Sequence, residues 1–203
     1  MLKQEDGVEI VKLARLVVDS VVKDEEPVIP EKYKLLFPDE QGVFVTLHTY
    51  PDHDLRGCIG VPLPVMPLYQ AVVEAATSAT CDPRFPRVKP KELDSIIIEV
   101  TILTKPELIK VKQPREYLSY IVIGRDGLIV EQGYNKGLLL PQVPVEQGWS
   151  KEEFLSHTCM KAGLLPDAWF ERHTRIFRFT GQIFTEITPR GEVKEKRLDG
   201  SDN

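Results

Sequence analysis

The stretch GVFVTLHTYPDHDLRGCIG, residues 42–60, reads as a strand, a turn and a return strand. GVFVTLHTY is rich in β-branched and aromatic residues, PDHD supplies the turn, and LRGCIG runs back. Pro62, Pro64 and Pro67 end the extended run. Such a hairpin makes its strands antiparallel, whereas a doubly wound parallel sheet needs strands that alternate one by one with helices.

The flanking segments supply the helices. Upstream, Asp6 with Glu9 three residues later resembles a capping box, and Ile10, Leu13, Ala14, Val17 and Val21 fall on one face of a 3.6-period helix. After the linker DEEPVIP and the hairpin, Val65, Leu68, Tyr69, Val72, Val73, Ala76 and Ala79 mark a second amphipathic helix. A non-regular stretch, CDPRFPRVKP, precedes SIIIEVTIL, which has the β-branched richness of a buried strand. Further on, IVIGRDGLIVEQGYNKGLLL predicts strands around two glycine-containing turns. Ser150 and Glu153 form a capping box with Gly163 as C-cap, and IFRFTGQIFTEI is a long closing strand.

The order hairpin, helix, long strand thus occurs twice, which suggests an internal duplication of that unit. The expected fold is α+β, a mainly antiparallel sheet with packed helices. It forms one domain over residues 1–190 in two packed halves, about 1–110 and 111–190. Residues 191–203 are charged, nearly free of apolar side chains, and read as a flexible tail.

With 42% hydrophobic and 28% charged residues, the 203-residue chain can bury a sizeable core. No apolar run approaches the roughly 20 residues needed to cross a bilayer. MLKQEDGVEI lacks the apolar centre of a secretory signal, so a cytoplasmic protein without membrane attachment is expected. Cys58, Cys81 and Cys159 are an odd count without close pairing, which fits thiols in a reducing compartment. A net charge of -5 argues against nonspecific nucleic-acid binding.

Strand alternation places Arg56 and Cys58 on one face of LRGCIG, with Leu55 and Ile59 on the other. In SIIIEVTIL it separates Ile96, Ile98, Val100 and Ile102 from Ile97, Glu99 and Thr101. A carboxylate within that apolar strand needs a partner, and Arg56 and Arg84 are the leading candidates. Two readings stay open. A guanidinium lowers the Cys58 pKa while Gly57 and Gly60 let a substrate approach the backbone, or Cys58 is a small buried thiol beside a structural ion pair. In the loop, Arg84 can clamp a carboxylate or phosphate above the stacking face of Phe85, or Asp82 and Pro83 build a turn that Phe85 and Pro86 anchor. Gln142, between two prolines, presents its amide to a ligand or satisfies loop backbone groups.

His48 shares a face with Phe44 and Thr46; His53, His157 and His173 are scattered. There is no HExxH, paired CxxC, EF-hand pattern, P-loop, GxGxxG or GxSxG, so neither a metal site nor a bound cofactor is expected.

LRGCIG, DPRF, EL, IIIEVTIL, IGRDGLIV, GLLLPQV, GW, FL and KAGL, in that order and spacing, resemble the AMMECR family, the domain also called AmmeMemoRadiSam system protein A. The resemblance runs from about Gly42 to Glu186. Arg87, which follows DPRFP, departs from the family pattern and adds a charge. The resemblance implies a two-part α+β domain and makes Leu55 to Gly60 the signature. It also implies a modification pathway shared with a Memo-type protein and a radical SAM enzyme, acting on a small molecule or a modified macromolecule. Two functions follow as expectations. One is an enzyme or enzyme subunit with Cys58 as nucleophile, Glu99 exchanging protons, and Arg56 and Arg84 binding an anion. The other is a noncatalytic binding or adaptor module that uses the same groove.

Overall fold

The computed structural model describes residues 2–196. Apolar periodicity, turn chemistry and strand alternation divide the chain into two compact units. One is built from the chain up to Leu103 together with Gln182–Lys196; the described part of the other is Thr104–Gly181. Every described strand pairing is antiparallel, and the fold is α+β.

In the first unit, helix α1 (Gln4–Val22) buries Ile10, Leu13, Ala14, Val17 and Val18. Its start lies ahead of the expected cap. Asp6 is already helical and its carboxylate accepts the Lys3 N–H at 3.1 Å, while Glu9 pairs with Lys12 and Lys32. A short helix α2 (Glu31–Leu36) follows, with Tyr33 buried. Strands β1 (Gly42–Thr49) and β2 (Leu55–Val61) form the hairpin read from the sequence, and helix α3 (Leu68–Ala79) begins just after Pro67. Strand β3 (Ile96–Leu103), buried along its whole length, pairs with β1 so that β1 lies between β2 and β3. Helices α1 and α3 pack against one face of this sheet, over Val43, Val45, Leu47, Ile98, Val100 and Ile102.

In the second unit, β4 (Glu107–Leu108) pairs with β7 (Arg175–Glu186), and β5 (Asp126–Gln132) lies between β6 (Asn135–Leu139) and β7. Short helices α4 (Tyr117–Tyr120) and α5 (Gln142–Glu146) accompany α6 (Lys151–Lys161). The Ser150 hydroxyl accepts the Glu153 N–H and the Glu153 carboxylate accepts the Ser150 N–H, which closes the expected capping box. Residues 121–125 are not a strand. The glycine turn there precedes β5, because the Asp126 carboxylate accepts the Val122 N–H at 2.8 Å and holds it as a loop.

Each unit therefore places the first hairpin strand between the second and the strand that follows the helix. This likeness of order and pairing does not show the expected duplication, because the residues do not repeat. The unit boundary also differs from a simple halving, because β7 gives its first seven residues to the second unit and its last five to the first. The tail expected from residue 191 is corrected over its first part: β8 (Val193–Lys196) pairs with β7, and Val193 is buried. Residues 197–203 lie outside the described residues.

Candidate functional site

Cys58 faces Thr46 across the β1–β2 ladder, and Thr46 faces Glu99 across β1–β3. Directly opposed residues of antiparallel strands share a face, so Cys58, Thr46 and Glu99 form one row on the side away from α1 and α3. The Thr46 hydroxyl donates to the Cys58 sulfur at 3.3 Å. Thr46 was not singled out from the sequence, although its alternation with Phe44 and His48 carried the signal.

The cationic partners differ from those expected. Glu99 accepts from the Lys196 ammonium at 3.3 Å, not from Arg56 or Arg84. The β1–β2 register shifts so that Gly57 opposes Leu47 and Leu55 opposes His48, which leaves Arg56 without an opposite residue and breaks the alternation expected to set it beside Cys58; its guanidinium is taken by Glu92, with Nε at 2.8 Å. That contact, with the Lys89 N–H, lowers the Glu92 pKa. Arg84 turns back on its own loop, where Nε and Nη2 bind the Asp82 carboxylate at 3.1 and 2.7 Å.

Asp82 organises the motif. One carboxylate oxygen accepts the Cys58 N–H at 2.9 Å and the other accepts the Arg84 N–H at 3.0 Å. The Arg84 Nη2 also donates to the Cys58 carbonyl at 3.2 Å. Both backbone groups of Cys58 on the free edge of β2 are thereby satisfied by the DPRF loop, much as a further strand would satisfy them. The carboxylate is almost wholly buried, and the Arg84 contact holds its pKa well below the ordinary range against the opposing cost of burial; the two N–H groups add to that pull. Arg84, with its side chain 56% exposed, lies 5.6 Å above the half-buried Phe85 ring.

The glycines have structural occupants. A Cβ on Gly57 would collide with the Ala79 carbonyl oxygen at the end of α3, and one on Gly60 with the Phe44 ring. The expectation that they leave the backbone open to a substrate is therefore corrected: protein atoms fill that space. Burial pushes the Cys58 thiol pKa up. The Thr46 hydrogen bond and the Arg84 charge pull it down by less, while Glu99 and Asp82 push it further up. A lowered thiol pKa, expected from a neighbouring guanidinium, is not the net result.

Gln142 belongs to the second unit, as the first residue of α5; its side-chain oxygen is buried with no hydrogen-bond partner among the described residues. His48 lies on the Thr46 face as read, with Nδ1 likewise buried and unpartnered. The extra charge at Arg87 caps the end of α1, donating to Asp24 at 2.9 Å and the Val21 carbonyl at 3.4 Å. Among the described residues no group of three His, Cys, Asp or Glu side chains could hold a metal ion, and no helix is long and apolar enough to cross a membrane.

A two-unit antiparallel α+β chain whose LRGCIG hairpin is tied to a DPRF loop through one aspartate defines the class. The match to AMMECR1 spans residues 11–184, and the chain belongs to that family. It is 57% identical over 199 residues to Protein MJ0810 of Methanocaldococcus jannaschii, covering 98% of each chain. It is 49% identical over 192 residues to a protein of Aquifex aeolicus, covering 94% of this chain and 97% of the other. The crystal structure of the uncharacterized protein PH0010 from Pyrococcus horikoshii is similar with a TM-score of 0.87 and 47% identity, over 97% of this chain and 98% of that one.

Proposed function

We propose that the chain is a binding or adaptor module whose contact surface is the Arg84–Phe85 corner beside Cys58, and that it captures an anionic group on a partner. The observation that carries this reading is the state of Arg84. Its Nε and both Nη2 hydrogens are fixed on Asp82 and the Cys58 carbonyl, while both Nη1 hydrogens lack a partner among the described residues and the side chain stays more than half exposed. A guanidinium locked on one edge and free on the other is preorganised for a carboxylate or phosphate, and the Phe85 ring offers an apolar surface beside it.

The partner that the family resemblance favours is a Memo-type or radical SAM protein. The test is titration calorimetry of each such purified protein against the wild type, Cys58→Ser, Arg84→Gln and Phe85→Ala. Binding retained by Cys58→Ser, weakened at least tenfold by Arg84→Gln for one lost charged hydrogen-bond contact of about 1.5–3 kcal/mol, and weakened by Phe85→Ala through lost apolar contact, is expected. Undiminished binding by both loop variants overturns the reading.

The thiol-enzyme reading keeps one observation in its favour, the Thr46 hydrogen bond to the sulfur, which favours the thiolate. Loss of a turnover assay in Cys58→Ser, with partner binding intact, would move the function there.

A further inference from the structure

Outside the motif, the β5–β7 face of the second unit changes character along its length. Val130, Leu128 and Ile176 are fully buried in the core, and beyond them come Arg178, then Asp126 opposite Thr180. At this polar end lies a cavity of about 320 Å³, lined by Arg125, Asp126, Arg178, Thr104, Thr180 and Glu107 among others. We propose that it is an oxyanion site, taking a phosphate or carboxylate group of a small molecule.

The argument is an inventory of donors and acceptors. Arg125 gives Nε and one Nη2 hydrogen to Asp126 at 2.8 and 2.7 Å, which leaves three guanidinium hydrogens without a partner among the described residues. Arg178 gives one hydrogen to the Tyr120 carbonyl at 3.3 Å and one to Glu107 at 3.4 Å, which leaves three more. The Thr104 hydroxyl accepts the Thr180 N–H at 2.9 Å and shares one hydrogen bond with the Thr180 hydroxyl, so one of the two hydroxyl hydrogens is also unassigned.

The acceptors are fewer. Asp126 is buried, and its two oxygens already take the Val122 N–H and both Arg125 contacts. Glu107, 73% exposed and at the long end of ion-pair distance from Arg178, is the one rival carboxylate among these lining residues, and an exposed pair of that kind is weak. A donor-rich, acceptor-poor cavity with two guanidinium groups is complementary to a group that only accepts. Its volume sits at the small end of ligand pockets, which suits a small anion.

The test titrates the full chain with inorganic phosphate and, separately, with succinate at constant ionic strength, followed by calorimetry and by the ¹⁵N–¹H shifts of the arginine Nε groups. Saturable binding of either anion, with shifts at Arg125 and Arg178, is expected; phosphate alone identifies a phosphate source and succinate alone a carboxylate source. Arg178→Gln should weaken binding about tenfold. Glu107→Gln, at an exposed position, should strengthen it by removing the rival. Emission from Trp149 and Trp169, both in this unit, checks that the variants stay folded. No saturable binding by either anion, or an affinity unchanged in folded Arg178→Gln, overturns the assignment; if that variant does not fold, an affinity unchanged or reduced in Glu107→Gln does so.

Discussion

Removing the Asp82 carboxylate is expected to unlock the LRGCIG edge. In Asp82→Ala the N–H groups of Cys58 and Arg84 lose their acceptor. Each orphaned donor is part-buried and costs toward the lower end of about 1–3 kcal/mol, and because the Arg84 side chain is more than half exposed it rehydrates and is counted at nothing. The expected loss is therefore about 3 kcal/mol, or about 6–12 °C in Tm for a chain of this size. Asp82→Asn keeps one carbonyl oxygen, hence one acceptor, and should cost about half as much.

The sign of the pH dependence follows from the depressed Asp82 pKa. A carboxylate whose folded pKa lies below its unfolded value stabilises fully above that unfolded value, about 3.9, and the contribution is lost as pH falls through the folded one. The gap between wild type and Asp82→Asn should therefore be constant from neutral pH down to about 4 and narrow only below it. Tryptophan emission is the wrong probe, since both tryptophans lie in the second unit. Amide hydrogen exchange of the β2 peptide, with far-UV circular dichroism in urea, reads the first unit directly. An exchange rate at Cys58 that is the same in wild type and Asp82→Ala would refute the role given to Asp82.

Three further outcomes are expected. Gly57→Ala should lower stability by about 2 kcal/mol in urea unfolding, because its methyl meets the Ala79 carbonyl; a neutral effect would show that α3 can shift to admit it. In native alkylation resolved by peptide mass spectrometry, exposed Cys81 should react first. Cys58 should accelerate only above the ordinary thiol range of about 8.5, since a raised pKa shrinks its thiolate fraction at any lower pH. Cys159, fully buried and pushed up to about 11, should wait for unfolding, and fast labelling of Cys58 near pH 6 would contradict its environment. Arg15→Met should cost about 3–5 kcal/mol, for it strips the buried Glu186 of its counter-charge, and a second change, Glu186→Met, should recover most of that loss.

What the sequence determined by itself is local. The 42–61 hairpin, helix α3 and the Ser150 cap of α6 were legible because strand alternation, helical periodicity and capping chemistry each act within a few residues. The placement of Arg56 did not follow from that alternation, because the β1–β2 register shifts at Arg56, which no pattern of apolar and polar residues announced. The partners were decided by tertiary structure. Glu92 takes Arg56 from 36 positions away, and Lys196, in a segment read as tail, reaches Glu99 across 97. Arg15 joins Glu186 across 171 positions. Even within DPRF, the short Asp82–Arg84 contact gains its meaning from the register that brings the loop beside the Cys58 backbone. A charge pattern shows that a buried acid needs a partner, but several cations satisfy the same rule, and only chain packing selects which one arrives within hydrogen-bonding distance.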